Sequence, residues 1–251
     1  MRDFDLEPAH DLGLPSAARQ RSVQREAGLR ELLASHAWWA VARTYLKLAH
    51  RLEVVGREHL PAEPPFVLVA NHTSHLDAPM LAAALPPRHR RYTFPVSAGD
   101  VFFETKLASA FSAVFLNALP MWRKHAGRHA LDDLRKRLTC GTTSLILFPE
   151  GTRSPDGVMQ KFKPGIGMLV AGTDVPVFPC YLEGAHAALP KGAKRPRPTK
   201  LRARVAPPLR FGDTANDKRG WCGVAQCLQR EVIGLAPGHA PPPEDAASPT
   251  G

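Results

Sequence analysis

The sequence predicts a single α/β domain with a mostly parallel sheet, flanked by helices and preceded by an amphipathic N-terminal helix. Short apolar runs alternate with helical stretches, which is typical of parallel strands joined by crossover helices. Two of these runs end in polar turns, and in such sheets reactive groups collect beyond the carboxyl ends of strands. A length of 251 residues with 44% hydrophobic residues is enough for one substantial core.

The N-terminal part divides into a polar head and a helix. Residues 1–27 are charged and lack the apolar core of a signal peptide, so we expect a disordered segment. Residues 28–52 predict an amphipathic helix with an apolar stripe, a basic stripe and two large apolar residues between them. The apolar stripe is Trp38, Val41, Tyr45, Leu48 and Leu52, the basic stripe is Arg43, Lys47 and Arg51, and Trp39 and Leu46 lie between.

This helix has two interpretations. It suits an interfacial position at an anionic membrane surface. Alternatively, the apolar stripe packs inward on the protein's own sheet and leaves the Trp39 edge to water or lipid. A membrane span is not expected, because the longest charge-free apolar stretch, residues 107–122, has 16 residues, whereas a span needs about 20.

The remaining elements alternate along the chain. We expect strands near residues 54–56, 66–70, 92–97, 115–121, 144–148, 176–182 and 201–205, the last resembling an edge strand because its polar and apolar residues alternate. We expect helices near residues 79–85, 101–113, 125–138, 165–172 and 220–235. Residues 28–235 would form the folded domain, and residues 236–251, rich in Pro and Ala, a disordered tail.

A histidine and an aspartate follow the predicted strand 66–70. His72 and Asp77 are five residues apart, about 500° on a continuous helix, so they meet only if the chain turns between them. Pro79 is tolerated in the first turn of a helix, which places the helix start near Asp77 or Ala78. The carboxylate would then orient the imidazole and leave its other nitrogen free to take a proton from a hydroxyl. A simple loop hydrogen bond, or a zinc site that adds His75, is the alternative.

A second polar turn follows the predicted strand 144–148. Gly151 lets the backbone turn sharply. Thr152, Arg153 and Ser154 offer hydroxyl and guanidinium donors that suit a phosphate group. The alternative is a solvated pair between Glu150 and Arg153.

Together the two segments resemble the glycerolipid acyltransferase family, which includes the bacterial 1-acylglycerol-3-phosphate acyltransferases. Residues 71–77 match its first motif, a His and an Asp separated by four residues, and residues 148–154 match its third motif. Residues 175–179 are similar to the fourth motif, and residues 119–123 are loosely similar to the second. The resemblance spans roughly residues 54–211.

The resemblance implies transfer of a fatty acyl group from acyl-coenzyme A or acyl carrier protein to 1-acylglycerol 3-phosphate, giving phosphatidate in phospholipid biosynthesis. His72 would be the general base and Asp77 its orienting residue. Arg153, and less clearly Arg123, would bind the acceptor phosphate. The pocket around that phosphate would be shaped by Glu150, Gly151 and Thr152. No metal or cofactor is implied beyond the thioester co-substrate.

Two alternatives to this activity stay open. The acceptor could instead be glycerol 3-phosphate, another lysophospholipid or a lyso-aminolipid. A protein that keeps the fold without turnover would be a membrane-associated lipid or acyl-carrier binding protein.

The net charge of +10 is concentrated in one segment. Between Gly184 and Gly212 there are no acidic residues and eight basic ones: Lys191, Lys194, Arg195, Arg197, Lys200, Arg202, Arg204 and Arg210. Such a basic patch favours anionic lipid, the phosphates of coenzyme A or an acidic acyl carrier protein, or it is simply solvated. Nucleic acid is not expected, because no aromatic-rich face or helix-turn-helix pattern accompanies the charge.

The four cysteines form no disulfide or zinc spacing and are expected to be reduced. Reduced cysteines are typical of the cytoplasm, and the amphipathic helix without a predicted span favours surface attachment. We expect a peripheral or monotopic protein on the cytoplasmic side of the cell membrane.

Overall fold

Strands and helices alternate along the chain as expected. The computed structural model describes residues 29–90, 92–98, 119–121, 128–141, 143–193 and 195–238. Within them the strands are β1 (Glu53–Val55), β2 (Val67–Ala70), β3 (Thr93–Ala98), β4 (Leu119–Met121), β5 (Ser144–Leu147), β6 (Val177–Glu183) and β7 (Arg202–Val205). The helices of the same residues are α1 (Leu29–Leu48), α2 (Asp77–Ala84), α3 (Pro87–Arg90), α4 (Arg128–Cys140), α5 (Gly165–Val170), α6 (Ala185–Ala188) and α7 (Lys218–Gly234).

The strands form one sheet in the order β1-β7-β6-β2-β5-β3-β4. Every neighbouring pair is parallel except β6 and β7, which run antiparallel. The predicted α/β class with a mostly parallel sheet is confirmed. In this order β2 and β5, the strands that precede the two polar turns, are direct neighbours.

Most predicted elements agree with the structure to within a few residues at each end. The short helices α3 and α6 were not predicted, because four residues carry too little periodicity to be recognised. Four predictions lie outside the described residues: the disordered head 1–27, the helix 101–113, the first part of the strand 115–121, and residues 239–251 of the tail.

The strand predicted at residues 201–205 is not an edge strand. The three-residue strand β1 pairs with the outer side of β7, with Glu53 opposite Arg202, and β1 forms the edge. The alternation in β7 has another cause: Ala203 and Val205 are buried, while the two arginines point to the other face and are half-buried. One-sided burial produces alternation in an interior strand as well as at an edge.

Helices cover both faces of the sheet, which explains why the central strands are apolar throughout. All four residues of β2 are buried. Val67 and Val69 lie in the core cluster shared with α4, α5 and α7, and Leu68 and Ala70 lie in the cluster shared with α1 and α2. A strand covered on both faces has no side that can be polar.

Helix α1 ends at Leu48, earlier than the predicted boundary at residue 52, and Arg51 just beyond it has a positive φ of 48°. The packing alternative for this helix is only partly right, because its buried face is formed mainly by residues outside the predicted apolar stripe. Trp39 and Leu46 are 4% and 2% exposed and belong to the core. Trp38 and Leu52, at the two ends of the apolar stripe, are half-buried and pack against the same core, whereas the middle of the stripe faces outward. In that stripe, Val41 is 64%, Tyr45 42% and Leu48 74% exposed.

This packing has a geometric reason. Trp39, Ala42 and Leu46 recur at spacings of three and four residues, which places them on one helix face that packs against the core cluster containing α2. Across the part of the chain that the structure describes, no helix is both long and apolar enough to cross a membrane.

The basic segment is less strongly charged than its sequence implies, because acidic residues from outside the segment pair with it. Glu53 accepts from Lys200 at 2.8 Å and from Arg202 at 3.1 Å. Glu183 lies 3.4 Å from Arg202 and 3.5 Å from Arg204. Three of the eight basic residues are therefore partly neutralised, and the predicted basic patch carries less net charge than its sequence implies.

Candidate active site

The two polar turns meet at one edge of the sheet. Because β2 and β5 are adjacent and parallel, residues 71–77 and 148–154 leave the sheet side by side. The backbone N–H of Ser154 donates to the carbonyl oxygen of His72 at 2.8 Å. In the opposite direction, the backbone N–H of His72 donates to Oε1 of Glu150 at 2.7 Å. These two hydrogen bonds hold the two turns together.

Asp77 holds the loop that carries His72. It is the first residue of α2, and its side chain is completely buried. Its Oδ2 lies 2.9 Å from Nδ1 of His72 and also accepts from the backbone N–H groups of Thr73 at 2.7 Å and Ser74 at 2.8 Å. The loop therefore folds His72 back onto Asp77, which is the contact that the spacing predicted.

The imidazole of His72 is fixed with one nitrogen available. An ionised Asp77 can only accept, so Nδ1 carries the proton and Nε2 keeps its lone pair. The ring stacks on Phe148 with centroids 4.2 Å apart and planes inclined by 17°. The His72 side chain is 21% exposed, and Nε2 has no hydrogen-bond partner among the described residues. This arrangement can take a proton from a hydroxyl that approaches from solvent.

Glu150 lies beneath the turns. The residue is 1% exposed, and its two carboxylate oxygens accept from different backbone N–H groups, Oε1 from His72 at 2.7 Å and Oε2 from Gln160 at 3.0 Å. Burial raises the pKa of Glu150 to about 7, although both hydrogen bonds favour the ionised form. Glu150 therefore fixes the backbone at His72 and at Gln160.

Gly151 and Thr152 form the exposed part of the second turn, and Arg153 beside them is half-buried. Gly151 has a φ of 74°, a conformation that side chains rarely adopt, and its N–H donates to the carbonyl oxygen of Phe148 at 3.0 Å. Burial lowers the pKa of Arg153, and the negative charge of Asp77 opposes that shift. Within the described part of the chain, no carboxylate forms an ion pair with Arg153. This guanidinium is a cation available to an anionic ligand.

His75 gives no support to the zinc alternative. Burial of its ring, together with the positive charge of Arg153 and of His72, lowers the pKa of His75 to about 4. A neutral imidazole is the form that binds zinc, so the positions of the possible ligands decide the question. In the residues that the structure describes, no three His, Cys, Asp or Glu side chains converge on a metal position. Nδ1 of His72 is already bonded to Asp77.

Two further polar residues of the first motif have structural roles that sequence reasoning did not assign. The amide of Asn71 bonds twice to the backbone of Leu182, accepting from its N–H at 2.7 Å and donating to its carbonyl at 3.1 Å. It thereby extends the pairing of β2 with β6 by one residue. The Ser74 hydroxyl donates to the carbonyl of Leu189 at 2.8 Å. For Asn71, the sequence signal for this role was a polar residue directly after a buried strand.

Phe148 is the residue of the site that sequence reasoning missed. Its position at the end of β5 marked it as a strand residue, and the stacking on His72 depends on the pairing of β5 with β2. Arg123 lies outside the described residues. The nearest described element is β4, an edge strand that ends at Met121, so the contribution of Arg123 stays a prediction.

Comparisons with known proteins identify a family and several proteins that are similar to this chain. A model of the Acyltransferase family matches residues 51–183. The chain is 29% identical over 167 residues to a 1-acyl-sn-glycerol-3-phosphate acyltransferase of Limnanthes alba, covering 66% of this chain and 57% of that protein. It is 28% identical over 194 residues to the alpha form of the enzyme of the same name from Mus musculus, covering 77% and 64%. The chain thus spans less than two thirds of the length of either relative.

The fold is also similar to a solved structure. The crystal structure of the 1-acyl-sn-glycerophosphate acyltransferase PlsC from Thermotoga maritima matches with a TM-score of 0.61 and 25% sequence identity, covering 82% of each chain. The matched family model includes both polar turns and extends over more than half of the sequence. This chain belongs to the Acyltransferase family.

Proposed function

We propose that the protein is an O-acyltransferase that moves a fatty acyl group from a thioester donor to the free hydroxyl of 1-acylglycerol 3-phosphate, giving phosphatidate. The observation that carries the proposal is the hydrogen bond of 2.9 Å between His72 and Asp77, at a sheet edge shared with the turn of Arg153. A base beside a cation suits an acceptor that has both a hydroxyl and a phosphate.

In the proposed reaction the hydroxyl oxygen of the acceptor attacks the thioester carbon while Nε2 of His72 takes the hydroxyl proton. Asp77 stabilises the imidazolium that forms. The carbon–sulfur bond then breaks, and the leaving thiolate takes the proton from His72, which restores the base and releases the thiol. General base catalysis of this kind contributes roughly 10² to 10⁴ in rate. The transfer is direct and needs no acyl-enzyme.

The choice of acceptor is supported by the names of the relatives and by Arg153. Both relatives compared above are named 1-acyl-sn-glycerol-3-phosphate acyltransferases. Arg153 would bind the acceptor phosphate through paired N–H donors, with Arg123 as a second contact, and Gly151 and Thr152 would line the pocket. The donor would be acyl-coenzyme A or acyl carrier protein, and the product would enter phospholipid biosynthesis.

We place the enzyme at an anionic membrane surface, as a peripheral or monotopic protein on its cytoplasmic side. The exposed apolar stripe of α1 supports membrane contact, because Val41, Tyr45 and Leu48 lie outward where they can enter the headgroup region. The four cysteines are free, as is usual in a reducing compartment.

The test is thiol release from palmitoyl-coenzyme A by the purified protein, with and without 1-acylglycerol 3-phosphate, combined with mass spectrometry of the lipid product. We expect thiol and phosphatidate in equal amounts, and only when the acceptor is present. Glycerol 3-phosphate, other lysophospholipids and a lyso-aminolipid run in parallel identify a different acceptor. If no acceptor supports turnover with either coenzyme A or acyl carrier protein donors, a lipid or acyl-carrier binding protein is the better description.

A further inference from the structure

The segment that follows the third motif folds back onto it. The backbone N–H of Lys163 donates to the carbonyl oxygen of Pro149 at 2.9 Å. The preceding residue, Phe162, is buried, and its N–H donates to Oε1 of Gln229 on α7 at 3.0 Å. Gln160 donates in turn to Glu150. The backbone of Lys163 is therefore fixed against the turn that carries Arg153.

The side chain of Lys163 lies over Gly151. A Cβ atom placed on Gly151 would be 2.6 Å from Nζ of Lys163 and 3.3 Å from its Cδ and Cε, so the lysine chain occupies the space that a side chain at position 151 would take. Lys163 is exposed, and among the described residues no carboxylate forms an ion pair with it. The ammonium lies on the surface of the turn, and no described carboxylate balances its charge.

We propose that Lys163 is a second binding residue for the acceptor phosphate, acting with Arg153. This inference rests on the proposed function, and it adds a residue that lies nine positions beyond the third motif. A phosphate monoester carries a charge of about −1.5 to −2 at pH 7, which a single guanidinium does not balance. Arg153 supplies a planar pair of donors and Lys163 a compact point charge, and the two approach the turn from different parts of the chain.

Binding measurements can test this without relying on turnover. The ligands are short-chain, water-soluble 1-hexanoylglycerol 3-phosphate and its uncharged counterpart 1-hexanoylglycerol, and the method is isothermal titration calorimetry on the full chain. Lys163→Gln should bind the phosphorylated ligand roughly tenfold more weakly, the loss expected for one charge-assisted hydrogen bond. Its affinity for the uncharged ligand should not change, and Lys163→Arg should recover most of the loss.

Lys161→Gln is the matched control. Lys161 is also exposed and lies two residues earlier in the same segment, but the three atoms nearest to a Cβ at Gly151 all belong to Lys163 and none to Lys161. The Lys161→Gln substitution removes the same unit of charge as Lys163→Gln, and it should leave the affinities for the phosphorylated and the uncharged ligand unchanged. Equal losses in the two variants would mean that only net charge matters, and this would overturn the assignment of Lys163.

A kinetic measurement separates the acceptor phosphate from the phosphates of coenzyme A. With Lys163→Gln, the KM for 1-acylglycerol 3-phosphate should rise while that for palmitoyl-coenzyme A stays constant. A rise in KM for palmitoyl-coenzyme A alone would overturn the proposal. Equal affinity of the wild type for the phosphorylated and the uncharged ligand would also overturn it. Lys163-dependent binding without turnover would refute the proposed function alone, whereas turnover with unchanged Lys163→Gln binding would refute this inference alone.

Discussion

His72 is held by three neighbours that come from different parts of the chain. Asp77 holds its Nδ1, Phe148 its ring face and Glu150 its backbone N–H. The first two contacts restrict the orientation of the imidazole and the third restricts the backbone that carries it, so Nε2 is held in one position. This preorganisation is what a proton acceptor needs when the reacting hydroxyl arrives only briefly.

Replacing Arg153 with alanine should weaken the acceptor site selectively. We expect the apparent KM for 1-acylglycerol 3-phosphate to rise about tenfold to a hundredfold, because a charge-assisted pair of hydrogen bonds is lost, with a smaller change in the KM for palmitoyl-coenzyme A. Steady-state kinetics with each substrate varied in turn measure both constants. A larger effect on the donor would reject the phosphate role.

Glu150 gives a prediction about stability and pH. Its pKa is about 7 in the folded protein and near 4.5 in the unfolded chain, so between these values the native state binds more protons than the unfolded state. The contribution of Glu150 to the free energy of unfolding is therefore complete at low pH and falls as the pH rises through this window. Glu150→Gln keeps the size of the side chain and removes the titration.

The measurement is urea denaturation of both proteins at about pH 5 and about pH 8. The free energy of unfolding of the wild type minus that of Glu150→Gln should decrease from the lower to the higher pH. All other titrating groups are shared by the two proteins, so the difference isolates Glu150. A difference that is constant or increases with pH would contradict the assigned pKa.

At the residue scale, sequence reasoning predicted contacts within one loop and missed those between loops. The meeting of His72 and Asp77 follows from their spacing and from Pro79, which are local features. The stacking of Phe148 and the buried bonds of Glu150 depend on β2 and β5 being neighbours. Spacing along the chain carries no information about which strands pair.

At the scale of single elements, α1 shows why an apolar pattern does not decide which side of a helix is buried. The stripe of Val41, Tyr45 and Leu48 has the helical spacing of a core face, yet the core takes the face with Trp39 and Leu46. Both faces are apolar enough to be buried. Trp39 and Leu46 pack inward, Trp38 contacts the same core, and Val41, Tyr45 and Leu48 are left for another surface.

This exposed stripe should contribute to membrane binding. The double variant Val41→Ser, Leu48→Ser removes apolar surface without adding charge, and we expect roughly tenfold weaker sedimentation with anionic liposomes. The melting temperature should change little, since both residues are more than half exposed. Ala40→Ser, another exposed change on the same helix, is the control and should behave like the wild type. Unchanged sedimentation of the double variant would remove α1 from the membrane contact.

At the scale of the whole molecule, the order of strands brings distant charges together. Strands β1, β6 and β7 are neighbours, which places Glu53 and Glu183 beside the basic segment that looked unopposed in sequence. A count of charges within a window of the sequence cannot include partners that come from other strands. Other described basic residues of this segment have no carboxylate partner among the described residues, and their charge is available to an anionic surface. They include Lys191, Arg195 and Arg197.

The fold class was predictable because local signals agreed with the global arrangement. Apolar runs such as residues 66–70 and 144–148 are buried on both faces, and this made them recognisable as central strands. The position of β1 outside β7 and the antiparallel pair β6–β7 were not predictable, because they depend on packing between distant segments. The edge assignment for residues 201–205 failed for the same reason.

The measurement that tests the proposed mechanism most directly is acceptor-dependent thiol release from palmitoyl-coenzyme A by His72→Ala beside the wild type. The variant removes the imidazole but keeps the backbone N–H that donates a hydrogen bond to Glu150, so the contact between the two turns is preserved. We expect a fall in rate of roughly 10² to 10⁴ with 1-acylglycerol 3-phosphate as acceptor. Near wild-type transfer by a correctly folded His72→Ala protein would contradict the role of His72 as the general base.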